Sequence, residues 1–427
     1  MYRILLLGSG GREHAFAWKI SQSPLCEKIF VATGNAGTAS IAENVPISPM
    51  DFPALANFCK KENINLLIAG SEEPLVAGIV DFFKSQTDVK HILTIGPEKQ
   101  GAMLEGSKDF AKAFMFENNI PTAHYQTFTE DELPQALQYI SNQSLPIVLK
   151  ADGLAAGKGV LICSTYTEAE KALREMLIEK KFGNASSKVV VEQFLEGIEL
   201  SVFVLTDGKN YQILPEAKDY KRIGEQDTGL NTGGMGAISP VPFADAAFMQ
   251  KVEEKIIKPT INGLMKRNIA YIGFIFFGLI KVNNEPFVIE YNCRMGDPET
   301  EVVLPRIESD FLALLADTAQ KKLAQSSLQI SSQTAATIML VSGGYPEKYD
   351  VNKEIEGLEQ VSQSIVFQAG TKISEGKIFT NGGRVMAISS LGGSITEALH
   401  LCKANAEKIS FEGKYYRRDI GLDLLNT

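Results

Sequence analysis

Glu290 and Asn292 stand two residues apart at the end of an apolar run, Val288-Ile289-Glu290-Tyr291-Asn292. If the run is a strand, alternation puts both side chains on one face. Two hard oxygen ligands, completed by water and phosphate oxygens, suit Mg²⁺. Arg294 and Asp297 follow within eight residues of Glu290, and a cation beside a metal–phosphate site can stabilise a transferring phosphoryl group. A strand end with solvated charges is the bland alternative, and Glu-x-Asn alone would not exclude it. A second constellation, Gly8-Ser9-Gly10-Gly11-Arg12-Glu13-His14, links a strand to a helix. Gly10 and Gly11 let backbone N–H groups approach an anion at a helix N-terminus, and Arg12 supplies a planar cation suited to a phosphomonoester. Glu13 occupies the third glycine position of a dinucleotide fingerprint, and the second strand ends Val31-Ala32-Thr33-Gly34 with no acid for a ribose diol. That argues against the usual nicotinamide reading and favours an anion site over a bare turn.

Lysines make the third group. Lys150 ends an apolar strand, and Lys158 sits in the loop GLAAGKG at 153–159. No G-K-[ST] occurs there, so the loop is not a Walker motif, yet glycines and one ammonium can fold over a polyphosphate. A lone strand-end lysine is more often solvated. The competing functional reading gains from Glu192-Gln193-Phe194-Leu195, an apolar strand end with exposed main-chain groups, and from Glu199, which could bind a ribose hydroxyl pair.

The elements that must position these groups follow from periodicity. Over the first ~100 residues, apolar runs at 3–7, 29–32, 66–69 and 92–95 alternate with helical segments at 13–22, 52–63 and 74–85, which predicts a parallel sheet with right-handed crossovers. A helix at 107–118 leads to a small α/β piece: strands 124–127, 147–151, 160–163 and 188–194, with helices 131–141 and 167–178. An amphipathic helix at 245–267 precedes strands 272–282 and 286–291, and 308–323 reads as a helix. The polar, serine-rich stretch 324–333 is the best linker. Beyond it lie a strand at 335–341, glycine-containing turns and a helix at 395–409.

Composition narrows the function classes. A chain of 427 residues with 44% hydrophobic and 22% charged residues can bury several cores without disulfides. The net charge of −9 offers no basic excess for a nucleic-acid partner. The four histidines and five cysteines are scattered without ligand spacing, as expected of a reduced, cytoplasmic protein. The N-terminal apolar run is too short for a signal peptide, and YIGFIFFGLI at 271–280 is too short for a membrane span of about 20 residues.

Taken together, these segments resemble the ATP-grasp ligases, and among them the phosphoribosylamine–glycine ligase family. The resemblance spans nearly the whole chain: GSGGREHAFAWKISQSP at the start, GNAGT at 34–38, GSEEPLVAGIVD at 70–81, LEGSKDF at 104–110, KADGLAAGKGV at 150–160, KDYKRIGEQDTGLNTGGMGAISP at 218–240, EYNCRMGDPETE at 290–301, AGTK at 369–372, TNGGRV at 380–385 and YRRDIG at 416–421. It implies an α/β fold with a Rossmann-like parallel-sheet domain at 1–104, an ATP-grasp domain at 105–323 with a lid at about 123–192, and a small α+β domain at 324–427. It also implies that Lys108 and Lys150 contact ATP phosphates, with Lys158 in the covering loop. Glu192 and the backbone of Gln193 and Leu195 would line the adenine, and Glu199 would hold the ribose. Glu290 and Asn292 would bind Mg²⁺ or Mn²⁺, Gly10, Gly11, Arg12 and Glu13 would belong to the phosphoribosylamine site, and Asp219, Lys221 and Arg294 would serve substrate or phosphoryl transfer. Tyr220, Leu230 and Ser71 depart from the family's usual His, Pro and Pro, and none of these changes removes a charged group.

The implied reaction is ATP + glycine + 5-phosphoribosylamine → ADP + phosphate + glycinamide ribonucleotide, through glycyl phosphate, as the second step of de novo purine synthesis. The expected partners are these small molecules, with no nucleic acid and no membrane. The chain is expected to act as a monomer and, ending at Thr427, to carry no fused downstream enzyme. A ligase acting on formate or bicarbonate, a dinucleotide-dependent oxidoreductase and a non-catalytic nucleotide sensor are the rivals. The loop at 229–237, Glu13 and the intact Glu290, Asn292 and Arg294 count against them in turn.

Overall fold

A computed structural model of the chain describes residues 1–155 and 159–426. Tyr2–Gly8, Cys26–Thr33, Glu43–Asn44, Leu66–Ala69 and Leu93–Ile95 form an all-parallel sheet with Tyr2–Gly8 at its centre. The run Ile4-Leu5-Leu6-Leu7 is fully buried because both sheet faces are covered. Ile4 and Leu6 face a core shared with the helix Gly11–Ser21 and the C-terminal sheet. Leu5 and Leu7 face a second core shared with the helix Phe52–Lys61 and the central sheet. The two-residue period of one strand thus fixes two interfaces at once.

The central unit has two antiparallel sheets. The smaller one orders Tyr125–Thr129, Lys188–Gln193, Ile147–Ala151 and Val160–Cys163, with its own core between those strands and the helices Leu133–Ser141 and Tyr166–Leu177. The larger one orders Tyr211–Ile213, Ile198–Thr206, Gly273–Val282 and Glu285–Asn292. The fold class is the α/β arrangement that the sequence implies: a parallel N-terminal sheet, a two-sheet central unit and a small C-terminal α+β unit.

The last sheet orders Lys218–Asp219, Gly236–Ser239, Thr334–Val341, Arg384–Gly392 and Ile365–Gln368. Two of its strands come from before residue 240, so hydrogen-bonded pairs such as Ala237 with Thr337 cross the polar stretch at 324–333. Local departures from the expected elements have local causes. The segment 74–85 is two helices, Glu72–Ala77 and Ile79–Ser85, because Gly78 turns left-handed at φ 92°. A wider turn at Glu253–Ile257 interrupts the helix expected over 245–267. The fully buried helix Thr300–Arg306, with Pro305 inside it, has no amphipathic pattern to announce it. The helix after it runs only over Phe311–Ala319, started by Asp310, whose carboxylate accepts the Ala313 N–H.

Candidate functional site

The strand Glu285–Asn292 pairs antiparallel with Gly273–Val282, Glu290 opposite Gly278 and Asn292 opposite Phe276. Tyr291, between them, points into the core, where its hydroxyl lies 2.9 Å from Thr260 Oγ1. Glu290 and Asn292 therefore share the opposite face. They line a cavity of about 150 Å³ together with Lys108, Arg294 and the backbone around Gly153 and Gly159. Burial disfavours the Glu290 carboxylate, but Lys108, Lys150, Lys221 and Arg294 outweigh it and hold its pKa below the ordinary value.

Lys108 opens the helix Lys108–Glu117, whose start Ser107 caps by accepting the Phe110 N–H. Asp152 pins that helix to the end of the strand Ile147–Ala151. Its Oδ1 accepts the Ser107 hydroxyl at 2.9 Å and the Asp109 N–H at 2.8 Å. Lys150 is buried, donating to the Ile289 carbonyl at 3.1 Å and pairing with Glu192 at 3.0 Å. Gln193, exposed, continues the strand by donating its N–H to the His124 carbonyl, and Leu195 is half-buried beyond it. Lys221 Nζ bridges Glu199 and Asp219, 3.0 Å from each. The enclosing protein opposes the Lys221 ammonium, whose side chain is still 45% exposed, but Asp219, Glu199, Glu290 and Glu299 prevail and hold its pKa above the ordinary value. Lys158 lies outside the described residues.

The N-terminal turn is held by its own carboxylate. Glu13 accepts the Gly10 N–H at 2.6 Å through Oε2 and the Arg12 Nε–H at 2.7 Å through Oε1. A Cβ at Gly8, where φ is 131°, would fall 2.5 Å from Glu13 Cδ, so this strand end requires glycine. Arg12 also donates to the Met295 carbonyl at 3.2 Å, which joins the turn to the Arg294 loop. Arg294 is fixed in turn by Glu72 at 3.1 Å, Glu105 at 2.9 Å and Asn292 at 3.2 Å. Burial opposes ionisation of Glu72, yet Arg294 and Arg12 bring its carboxyl down to about 2.

Most of the residues singled out in the sequence converge. Lys108, Glu290, Asn292 and Arg294 line one cavity, Lys150 donates to the Ile289 carbonyl on the strand that carries Glu290, and Lys221 ties in Asp219 and Glu199. The Gly10–Glu13 turn is adjacent through Met295 rather than part of that cavity. Sequence reasoning passed over four contributors. Glu72 and Glu105 hold Arg294, Lys112 pairs with Glu192, and Arg384 pairs with Asp297 at 3.0 Å. Each lies far along the chain from its partner. Only Lys112 had a local cue: it follows Lys108 by four residues, one helical turn.

Glu290 and Asn292 are the residues that could hold a divalent cation, on the strand face they share. No group of three or more His, Cys, Asp or Glu side chains that could hold a metal exists among the described residues. The protein offers one carboxylate and one amide oxygen, the small hard set used by Mg²⁺ when phosphate oxygens and water complete its octahedron.

The family model for phosphoribosylglycinamide synthetase, N domain, matches residues 2–105. The model for its ATP-grasp (A) domain matches 106–300, and that for its C domain matches 335–423. The phosphoribosylamine–glycine ligase of Pasteurella multocida is 47% identical over 422 residues, covering 98% of this chain and 97% of that protein. That of Haemophilus influenzae is 48% identical over 423 residues, with the same coverage. The crystal structure of phosphoribosylamine–glycine ligase from Thermotoga maritima superposes with a TM-score of 0.85 at 34% identity, covering 98% of this chain and 99% of that one. The biotin carboxylase domain of Hydrogenobacter thermophilus 2-oxoglutarate carboxylase, at 15% identity and a TM-score of 0.73 over 100% of this chain and 94% of that one, shares the fold alone. With all three domains matched in order and near-half identity over almost the full length, this chain belongs to the phosphoribosylglycinamide synthetase, or phosphoribosylamine–glycine ligase, family.

Proposed function

We propose that the chain joins glycine to 5-phosphoribosylamine at the expense of ATP, giving glycinamide ribonucleotide, ADP and phosphate. Full-length membership of the family supports the activity. The observation that carries the site is that Glu290 and Asn292 share one strand face and line one cavity with Lys108 and Arg294. ATP lies between the two central sheets, with Lys108 and Lys150 at its phosphates. Glu192, Gln193 and Leu195 line the adenine, and Glu199 meets the ribose once Lys221 shares it. Glu290 and Asn292 hold Mg²⁺ or Mn²⁺, which when bound neutralises polyphosphate charge. Gly10, Gly11, Arg12 and Glu13 form part of the phosphoribosylamine site.

Glycine carboxylate is a poor acyl donor because it would have to expel oxide. Attack of one of its oxygens on the γ-phosphorus, with ADP leaving, gives glycyl phosphate. The amine then attacks the acyl carbon, and phosphate departs with that oxygen. Charge neutralisation, orientation and exclusion of water are what the protein must supply. Arg294, clamped by Glu72 and Glu105, is a cation fixed beforehand at the cavity, and Lys221 and Asp219 stand where substrate and phosphoryl group meet. We read the chain as a monomer acting on small molecules. No helix among the described residues is long and apolar enough to cross a membrane, and all five cysteines are free; both fit a cytoplasmic location. Release of ADP in assays that omit one component at a time tests the reading: turnover must require ATP, glycine and freshly made phosphoribosylamine together. ADP release that ignores glycine would defeat it.

A further inference from the structure

Glu192 treats its two oxygens unequally. Oε2 lies 3.0 Å from Lys112 Nζ and 3.0 Å from Lys150 Nζ. Oε1 is buried with no hydrogen-bond partner among the described residues. An unsatisfied carboxylate oxygen in a dry site is costly, so its persistence points to a donor that arrives with a ligand. Glu192 is the penultimate residue of the strand Lys188–Gln193, just before Phe194 and Leu195.

The two lysines are not equivalent. Lys150 also donates to the Ile289 carbonyl, next to Glu290, and is the one proposed to turn to ATP phosphates. Lys112 is 2% exposed and committed elsewhere: it donates to Thr122 Oγ1 at 2.8 Å and to the Ala123 carbonyl at 3.4 Å, and Thr122 donates onward to the Val288 carbonyl at 2.7 Å. Its ammonium lies 5.6 Å from the Tyr125 ring centre. These contacts span the helix Lys108–Glu117, the loop after it and the strand Glu285–Asn292.

We infer that Lys112 is a positioning residue for nucleotide selection. By holding Oε2 of Glu192 it keeps Oε1 aimed at an N–H donor on the base edge. It does so even when Lys150 leaves for the phosphates. A fixed carboxylate acceptor favours a base with an exocyclic amino group over one with a carbonyl there, because carbonyl and carboxylate oxygens repel. The inference rests on the proposal that Glu192 lines the adenine. The ionisation behaviour of Lys112 agrees with a tightly enclosed ammonium. Burial lowers its pKa, Glu192 opposes that and Lys150 adds to it, leaving it at about 8. Glu192 and Lys150 are the charged groups facing it, with the Tyr125 ring alongside.

Equilibrium binding of ATP and of inosine triphosphate, whose base carries a carbonyl in place of the amino group, tests this on the full chain. Lys112→Met should weaken ATP by about 10-fold, as loss of one charge-assisted contact implies, and inosine triphosphate far less. Discrimination should then collapse, while kcat at saturating ATP falls much less than ATP affinity. Lys112→Arg should restore part of the discrimination. Equal weakening of both nucleotides, or no change in either, overturns the inference and leaves Lys112 a packing residue. Glu192→Gln separates the two readings. If it removes discrimination and Lys112→Met does not, the lysine's role fails while the adenine site stands. If it leaves discrimination untouched, Glu192 does not meet the base and both fail. Should Lys112→Met not fold, the unsubstituted chain still decides: its preference for ATP should decline as pH rises past about 8, and a flat profile contradicts the inference.

Discussion

Glu290 is the residue on which the most depends. Its carboxylate is kept ionised by four cations that would otherwise repel one another. Glu290→Ala should leave the fold intact and lower ligation by at least about 100-fold, on the scale of losing a charge-stabilising group in a dry site. An ADP-release assay at ordinary Mg²⁺ checks this, and normal turnover would reject the metal assignment. Arg12 answers to two measurements. As a grip on the ribosyl phosphate, Arg12→Ala should raise the KM for phosphoribosylamine about 10- to 100-fold with little change for ATP. The same change strips the guanidinium from Glu13, which is 2% exposed. Breaking a buried pair from one side costs about 3–5 kcal/mol, so the urea midpoint should drop as well. Arg12→Lys, which keeps the charge, should recover stability better than it recovers KM. Loss of ATP affinity in Arg12→Ala would move the turn to the nucleotide site. At this scale the sequence was informative where chemistry is crowded into a few positions, as in Glu290, Asn292 and Arg294. It was silent on Glu72 and Glu105, whose importance comes from meeting Arg294 across about 200 residues of chain.

Among the elements, strands were the most legible, because apolar runs bounded by glycine leave little choice: Leu66–Ala69, Ile147–Ala151 and Val160–Cys163 lie where periodicity predicts them. Helix continuity was less so. A helical pattern carries no mark of the left-handed Gly78, and the short helix Thr300–Arg306 is buried all round, so it shows no polar face. The helix Gly11–Ser21 meets the strand Ile365–Gln368 through His14, whose Nδ1 accepts the Gln368 N–H at 2.8 Å. Burial holds the His14 pKa down to about 4 against an ordinary 6.5. The unfolded chain therefore binds a proton at pH values where the fold does not. The stability His14 contributes is whole above pH 6.5 and is lost as pH falls towards 4, to a limit of about 3 kcal/mol. Denaturant titrations at pH 7 and pH 4.5 should show a smaller acid-induced loss in His14→Gln than in the unsubstituted chain. Equal losses would mean that His14 does not titrate across this window.

For the whole molecule, the interfaces carry the information that local patterns lack. The two faces of the N-terminal sheet belong to different cores, one shared with the C-terminal sheet and one with the central sheet. Strands at 218–219 and 236–239 pair into a sheet whose other members follow residue 333. A polarity shift at 324–333 marks a change in composition, and hydrogen bonding across it depends on contacts that no window of sequence contains. This arrangement brings Arg12, Asp297 and Arg384, from three parts of the chain, into contact. On the proposed mechanism this assembly activates glycine by phosphorylating its carboxylate, and the chemistry leaves an isotopic record. Glycine labelled with ¹⁸O in both carboxylate oxygens, incubated with ATP and phosphoribosylamine, should yield inorganic phosphate bearing one ¹⁸O, with the other ¹⁸O in the new amide. Mass analysis of the phosphate from a single round of product formation reads this directly. Unlabelled phosphate beside a normal yield of glycinamide ribonucleotide would contradict the acyl-phosphate route and the roles given to Glu290, Asn292 and Arg294.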